Sequence, residues 1–430
     1  MTKTAFACRS LLALLIVIAG AVGAKVAAQE KGIPDFPKLS AENDWPWWRG
    51  PSGNGIAVGK APVEFGDALN VKWKAPVPGR GHSSPIVVGN RVFLTSADKG
   101  QEIQAAFCFD RATGKQLWMT EISRGGFPKN NHPNNTEATP SIACDGDRLF
   151  ITFYNHEQVQ LTALDLNGKK LWQKYAGSFH PQRYEYGYAP SPVLYRGTVI
   201  VAAEWEKSSF IAAFDRATGA EVWRIQRPNG GSYSTPVVAH LAGKDQLLIS
   251  GVQQITSYDP AKGTMLWTAA GCSSATCGTI VWDGDTVFAS GGYPQSETIA
   301  VKADGSGTIL WKNNQKLYEQ SLIATGGYVY GLTDSILFCW RATDGQEMWK
   351  QRLKGPVSSS PVLAGGHIYW GNELGTHYVF KPNPERLEMV SENRLGTESF
   401  ASPAICGGNL FLRAATQISG KRQEFLYCFE

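Results

Sequence analysis

Apolar residues along the chain come in short runs, and turn-forming residues separate these runs. From about residue 63 onward one order returns: Ser-Pro or Thr-Pro, an apolar run, a Gly-containing turn, two further apolar runs, and then Asp-x-x-Thr-Gly-x-x-x-Trp. Short apolar runs bounded by Gly, Asn and Asp are typical of β-strands joined by tight turns. Each repeat is therefore predicted to contain four antiparallel strands.

The closing motif of the repeat has a physical reason for each of its residues. Its best copies run from Asp110 to Trp118 and from Asp215 to Trp223. The Asp can accept backbone N–H bonds in a turn, and the Gly can adopt the left-handed conformation. The Trp has a large surface that a neighbouring repeat can cover. This structural Trp recurs at Trp73, Trp118, Trp172, Trp223, Trp267, Trp311 and Trp349, and Met389 takes its place in one repeat.

The spacing of the repeats predicts the fold. Successive closing positions of the motif lie 38 to 54 residues apart. Four strands in a period of about 40–50 residues are typical of propeller blades. The last repeat stops after its third strand, and the segment Asn70 to Pro76 around Trp73 supplies the missing fourth strand. We therefore predict an all-β fold, an eight-bladed β-propeller of four-stranded antiparallel blades whose last blade is closed by the N-terminal strand. Its blades open at Pro85, Pro140, Pro192, Pro236, Thr279, Leu322, Pro361 and Pro403.

The N-terminus predicts export. Lys3 and Arg9 precede an uncharged apolar run over 11–23, which is followed by small residues up to Ala28. The run is shorter than the ~20 residues that a membrane-spanning helix needs, so it fits a signal peptide, with an uncleaved anchor as the alternative. We predict a signal peptide at 1–28 with cleavage between 24 and 28, a leader at 29–62 and the propeller at 63–430. The mature chain is expected to be periplasmic or secreted, without a transmembrane segment.

Composition adds little to this picture but excludes one class of partner. The chain is 43% hydrophobic and 18% charged, and its net charge is only +4. A nucleic-acid-binding surface needs clustered Lys and Arg, and no such stripe is present. We therefore expect no nucleic-acid partner, and we expect a monomer.

The repeat motif, the Ser-Pro openings and the segment from Trp45 to Ile56 resemble the superfamily of propellers with pyrroloquinoline-quinone (PQQ) repeats, over about residues 45–430. The resemblance implies an exported bacterial protein of the PQQ-binding-like type. That superfamily includes quinoprotein dehydrogenases and also a non-enzymatic scaffold of outer-membrane barrel assembly. The motif is a packing device, so it predicts the fold without predicting a ligand.

The dehydrogenase hypothesis implies PQQ with Ca²⁺ as cofactor, and many such enzymes carry a disulfide between adjacent Cys residues. No two Cys are adjacent here, and the chain has little length for the insertions that build those active sites. No residue matches their metal ligands or base, so we predict no catalytic residue, no metal site and no cofactor, with PQQ and Ca²⁺ kept for the alternative. In an oxidising compartment, Cys272 and Cys277 are close enough in sequence to form a disulfide.

The loops that enter each blade and the loops between its second and third strands converge on the central channel, and two of the entering loops, 124–138 and 176–189, are long. Long loops on a rigid scaffold are common binding sites. We predict that this loop face binds a protein, peptide or carbohydrate. The alternative, a PQQ-dependent oxidoreductase of alcohols or sugars, would place Glu137, Arg183, Glu204, Trp205 and Glu319 around a cofactor. The candidate ligand-binding residues are Arg80, His82, His132, Glu137, Arg183, Tyr184, Glu204, Trp205, Tyr233 and Glu319.

Overall fold

The computed structural model describes residues 1–2, 32–183 and 185–430. Apart from residues 1–2, the predicted signal peptide lies outside the described residues, and so does Tyr184. Within the described ranges every regular element is a β-strand, in agreement with the all-β prediction. No helix of the described residues is long and apolar enough to cross a membrane.

Eight antiparallel four-stranded sheets follow one another along the chain and form the eight predicted blades. A separate hairpin of β1 (Gly32–Ile33) and β2 (Phe36–Ser40) precedes them. The strand β3 (Val71–Val77) comes next, and blades one to four consist of β4 (Ile86–Val88), β5 (Arg91–Asp98), β6 (Ile103–Asp110) and β7 (Gln116–Arg124); β8 (Ala143–Cys144), β9 (Arg148–Asn155), β10 (Gln158–Asp165) and β11 (Lys170–Ser178); β12 (Val193–Tyr195), β13 (Thr198–Ala203), β14 (Phe210–Asp215) and β15 (Glu221–Gln226); and β16 (Val237–Leu241), β17 (Lys244–Gly251), β18 (Gln254–Tyr258) and β19 (Met265–Ala270). Blades five to eight consist of β20 (Val281–Asp283), β21 (Thr286–Gly291), β22 (Glu297–Lys302) and β23 (Ile309–Asn313); β24 (Ile323–Thr325), β25 (Tyr328–Thr333), β26 (Ile336–Arg341) and β27 (Glu347–Arg352); β28 (Val362–Ala364), β29 (His367–Gly371), β30 (Thr376–Lys381) and β31 (Glu388–Arg394); and β32 (Ala404–Cys406), β33 (Asn409–Ile418), β34 (Lys421–Phe429) and the early strand β3.

The early strand β3 closes the last blade, as predicted. It pairs antiparallel with β34, and Trp73 lies opposite Cys428. This pairing joins the two ends of the propeller and leaves blade eight with the same four strands as the others. It also removes an exposed strand edge.

A ring of hydroxyl groups joins the blades around the central channel. In every blade a Ser or Thr lies two residues before the first, innermost strand. The backbone N–H of one such residue donates to the side-chain oxygen of the corresponding residue in the next blade. Seven hydrogen bonds of this kind are present, with N···O distances of 2.7–3.1 Å, and one of them joins Ser402 of the last blade to Ser84 of the first. We call this set the hydroxyl ring; it consists of Ser84, Ser141, Ser191, Thr235, Thr279, Ser321, Ser360 and Ser402.

The hydroxyl ring corrects the alignment of two repeats. The repeat pattern predicts that the second and fifth blades open at Pro140 and Thr279, but the residues in register with Pro85 are Ile142 and Ile280. The reason is that the hydroxyl, and not the proline, makes the contact between blades. Proline is therefore replaceable at the next position.

The repeated Trp residues join the blades at the outer strands, as the burial argument predicts. Trp118 donates its Nε1–H to the carbonyl of Leu166 in the next blade at 3.0 Å. The equivalent bond, from the indole N–H to a backbone carbonyl of the following blade, is made by Trp73, Trp172, Trp223, Trp311 and Trp349. The exception is Trp267, which donates to Gln246 of its own blade, and Gln246 then donates to the carbonyl of Ala303 in blade five.

The Gly of the closing motif has a second role besides its left-handed backbone. At Gly114 the φ angle is +72°, and an added Cβ would lie 2.5 Å from the ring of Trp73. At Gly345 the φ angle is +71°, and a Cβ would lie 2.5 Å from the ring of Trp311. The turn of one blade therefore packs flat on the Trp of the preceding blade, and a side chain at this Gly would separate them.

Residues 42–57, part of the predicted leader, cross the channel at the end away from the loop face; we call them the plug segment. Trp45 pairs with Val87 in blade one, and Ala57 donates its backbone N–H to the carbonyl of Leu363 in blade seven. Between them, the buried Arg49 donates to the carbonyls of Leu322 and Pro361. Burial lowers the pKa of Arg49 to about 9. The plug segment thus satisfies inner-strand backbone groups in several blades and fills that end of the channel.

The contact between blades at Trp311 can be tested by graded substitution. Trp311→Phe removes the bond to the carbonyl of Ala342 and is expected to cost about 1–2 kcal/mol of unfolding free energy. Trp311→Ala also removes the buried ring and is expected to cost about 3–5 kcal/mol. Urea unfolding measures both, with Met265→Ala at an exposed outer-strand position as a control expected to cost below about 0.5 kcal/mol. A Trp311→Ala cost equal to that of the control would contradict the inter-blade role.

Candidate functional site

The loop face contains a cavity of about 230 Å³ at the mouth of the central channel. Its walls come from the loops that enter the blades, and its base includes the hydroxyl ring and one residue of the plug segment. We call it the mouth cavity. It is lined by Trp48, His82, Ser84, His132, Asn134, Asn135, Thr139, Ser141, Tyr186, Ala189, Ser191, Tyr233, Thr235, Ala275, Cys277, Tyr318, Glu319, Ser358, Ser360, Phe400 and Ser402.

Two groups of rings form aromatic walls of the mouth cavity. On the side of blades two to four, Tyr186 meets His132 and Tyr233 edge-to-face, with ring centroids 5.1 and 5.9 Å apart. On the side of blades eight and one, His82 stacks flat on Phe400 at 4.4 Å and 11°. Such ring pairs hold each other in place. The aromatic rings that line the cavity are therefore fixed in position.

The base of the cavity is polar, apart from Trp48. Six members of the hydroxyl ring line it. The indole N–H of Trp48 donates to the hydroxyl of Thr279 at 2.8 Å, so the plug segment is bonded directly to the ring. Trp48 thus contributes to the floor of a cavity whose walls belong to the propeller.

The charge of the mouth cavity is low. Glu319 is the one acid among its lining residues, and the described lining includes no Lys or Arg. The surrounding protein desolvates the Glu319 carboxyl and, together with Glu373, raises its pKa, against the opposing effect of a hydrogen bond from Ser358. Burial, assisted by Arg80 and Arg413, lowers the pKa of His82 well below its usual value, so His82 is uncharged at neutral pH.

The structure brings four of the ten candidate residues into the mouth cavity: His82, His132, Tyr233 and Glu319. Arg80 and Glu137 line a second cavity of about 300 Å³ beside it, which shares His132 with the first.

Tyr184 lies outside the described residues, and the other three candidates, Arg183, Glu204 and Trp205, are not among the residues that line the mouth cavity. Glu204 and Arg227 form a buried ion pair at 2.6 Å. Burial alone would lower the pKa of Arg227, but Glu204 and Tyr258 outweigh it and the pKa is raised. Trp205 is buried as well, and the exposed Arg183 donates its backbone N–H to Glu206. Of the five residues expected around a cofactor, only Glu319 lines the cavity.

Sequence reasoning missed Trp48 and the hydroxyl ring. Trp48 stands in a Trp-rich segment that was assigned to a leader, and no local pattern shows that this segment returns to the channel. The ring residues were noted only through the prolines that follow them. Their spacing relative to the first strand of each repeat was the available signal.

The two cysteines of the predicted disulfide are free thiols in this structure. Cys272 packs in the apolar core between blades four and five, whereas Cys277 lines the mouth cavity. The disulfide therefore stays a prediction. Among the described residues there is no group of three or more His, Cys, Asp or Glu that could hold a metal ion.

Comparison with known proteins places these features in a family. The family model described as "Outer membrane protein assembly factor BamB" matches residues 70–173, 106–351 and 335–381. A relative of that name from Yersinia pestis is 22% identical over 77% of this chain and 82% of its own length. The tetrathionate hydrolase of Acidithiobacillus ferrooxidans is 21% identical over 74% of this chain and 69% of its own length.

A solved structure with the same fold is the quinohemoprotein alcohol dehydrogenase of Comamonas testosteroni. It superposes with a TM-score of 0.67 at 12% identity, over 93% of this chain and 82% of its own. At that identity the similarity establishes the fold alone.

The exposure of Cys277 to the mouth cavity can be measured by alkylation. Among the seven described cysteines only Cys277 is not fully buried, so iodoacetamide is expected to add one label to the folded chain, at Cys277. Because burial raises the pKa of this thiol, labelling should be slow at neutral pH and faster in alkaline buffer. Peptide mapping by mass spectrometry locates the label, and labelling at another cysteine first would contradict the placement.

The raised pKa of Glu319 predicts a pH dependence of stability. The folded chain holds the Glu319 proton more tightly than the unfolded chain, so stability falls as pH rises from the unfolded pKa to the raised folded pKa. Glu319→Gln should raise the melting temperature at about pH 7 and have little effect at about pH 3, where the carboxyl is protonated in both the folded and the unfolded chain. Glu347→Gln, at an exposed outer strand, is the matched control. An equal effect at both pH values would contradict the raised pKa.

Proposed function

Because the chain belongs to the family described as "Outer membrane protein assembly factor BamB", we propose that it is an exported binding protein that holds a partner at the loop face of its propeller. The partner is a protein, a peptide or a carbohydrate. The relatives named as assembly factors of outer membrane proteins support a place outside the cytoplasm.

The mouth cavity is the observation that carries this proposal. It combines fixed aromatic faces with neutral hydrogen-bonding groups, which is the usual composition of a ligand site. It lies at the loop face, and the plug segment crosses the other end of the channel. The long loops before blades two and three supply His132 and Tyr186 to its walls.

The residues of the mouth cavity do not fit the PQQ and Ca²⁺ of the alternative function. PQQ carries three carboxylates, and the described lining offers no Lys or Arg to pair with them. Ca²⁺ takes six to eight oxygen ligands, among which carboxylates supply the negative charge, and Glu319 is the single acid of the described lining. This donor set weighs against an oxidoreductase and in favour of a binding role.

The proposal is tested by thermal unfolding of the purified mature chain in the presence of three probe sets: PQQ with Ca²⁺, short peptides containing aromatic residues, and neutral oligosaccharides. A probe at a hundredfold excess over its Kd should stabilise the fold by about 2.7 kcal/mol. We expect stabilisation by peptides or by oligosaccharides and none by PQQ with Ca²⁺.

A cavity-filling variant assigns any effect to the site. Ala189 lines the mouth cavity, so Ala189→Trp should abolish the shift, while Ser306→Trp in an exposed turn of blade five should retain it. Saturable, Ca²⁺-dependent binding of PQQ with reduction of the quinone by an alcohol would contradict the proposal.

A further inference from the structure

The hydroxyl ring leaves five donors unused at the base of the mouth cavity. Each hydroxyl oxygen accepts one backbone N–H from the preceding blade, and its own O–H remains available to donate. Among the hydrogen bonds of the described residues, none has these hydroxyls as donors to a protein group. A buried donor without a partner is costly, so an occupant rich in acceptor oxygens fits this base. The five are the buried side chains of Ser84, Ser141, Ser191, Thr235 and Ser402.

The walls above the ring favour an occupant with flat C–H faces. Tyr186 and Tyr233 meet edge-to-face on one side, and His82 stacks on Phe400 on another. A pyranose ring has such C–H faces together with a perimeter of oxygens. Aromatic faces above and hydroxyl donors below match both parts of its surface.

The charge of the lining residues further restricts the class of ligand. No Lys or Arg stands in the described lining to attract an anion, and the Glu319 carboxyl repels an anion once it is ionised. In the low dielectric of a cavity such an unpaired repulsion is large compared with its value in water. Phosphorylated sugars, uronic acids and acidic peptides are therefore disfavoured.

We infer that the mouth cavity binds a neutral saccharide, with the pyranose ring against the aromatic walls and its oxygens accepting from the hydroxyl ring. This inference rests on the proposed binding function and specifies its ligand class. A volume of about 230 Å³ is below the range of about 300–1,000 Å³ of sites for drug-sized ligands. The cavity therefore takes one or two sugar units, and the rest of a glycan extends over the loop face.

A matched pair of probes tests the inference directly. Methyl glucoside and methyl galactoside are compared with the methyl glycosides of glucuronic acid and galacturonic acid. Each of these uronates has a free carboxylate at C6 in place of the CH₂OH group. Isothermal titration at neutral pH should give a Kd of about 1 mM or tighter for at least one neutral glycoside, and binding of its uronate should be weaker by about tenfold or more. Bound glycoside should also protect Cys277 from alkylation, because Cys277 lines the same cavity.

Variants separate the contributions of charge and stacking. Glu319→Gln should reduce the discrimination against the uronate, whereas Glu347→Gln on an outer strand should not. Tyr233→Phe should retain most of the affinity, and Tyr233→Ala should lose about tenfold or more because it removes a ring face. Melting temperatures measured beside each titration report whether a variant is folded.

Three outcomes would overturn the inference. Binding of aromatic peptides in the cavity without binding of any neutral glycoside would overturn it and leave the proposed function intact. Tighter binding of the uronate than of its neutral partner would overturn the charge argument. If none of the probes protects Cys277 from alkylation, both the inference and the proposed function are contradicted.

Discussion

The hydrogen bonds of the hydroxyl ring are the contacts on which the centre of this propeller depends. An innermost strand is only two to five residues long and cannot hold its blade in place alone. The N–H before each first strand needs an acceptor, and in seven of eight positions the next blade provides it through a Ser or Thr. Each such bond contributes about 0.5–1.5 kcal/mol, and the ring closes because the last blade bonds to the first.

The same ring connects the fold to the site. Five hydroxyls of the ring accept a backbone N–H from the neighbouring blade and keep their own O–H for the channel: those of Ser84, Ser141, Ser191, Thr235 and Ser402. The aromatic side chains stand on loops that this rigid ring positions. At the eighth position, Thr279 accepts the indole of Trp48, so the plug segment is fixed at one point of the ring. Packing between blades and the chemistry of the mouth cavity are therefore two uses of one set of residues.

Much of the fold could be predicted from the sequence, and much less of the site. Trp118 and Trp223 lie in intact motifs that predict blade number and inter-blade packing, because packing repeats with every blade. The acceptors of Arg49 could not be predicted, because this side chain donates to two backbone carbonyls about 300 residues away in the sequence. Glu204 follows the second strand of its blade, where the sequence predicts a loop at the channel, but a buried partner, Arg227, holds its side chain within the propeller. Site residues follow from long-range contacts that no local pattern records.

The central claim is that the unused hydroxyl donors of the ring define the ligand. A crystal structure of the chain grown with a saturating neutral glycoside tests this claim most directly. The account predicts density for a pyranose in the mouth cavity, with its oxygens within hydrogen-bonding distance of ring hydroxyls such as Ser191 and Ser402 and its C–H face on Tyr233. Density for the glycoside at another surface, with the ring hydroxyls bonded to water alone, would contradict it.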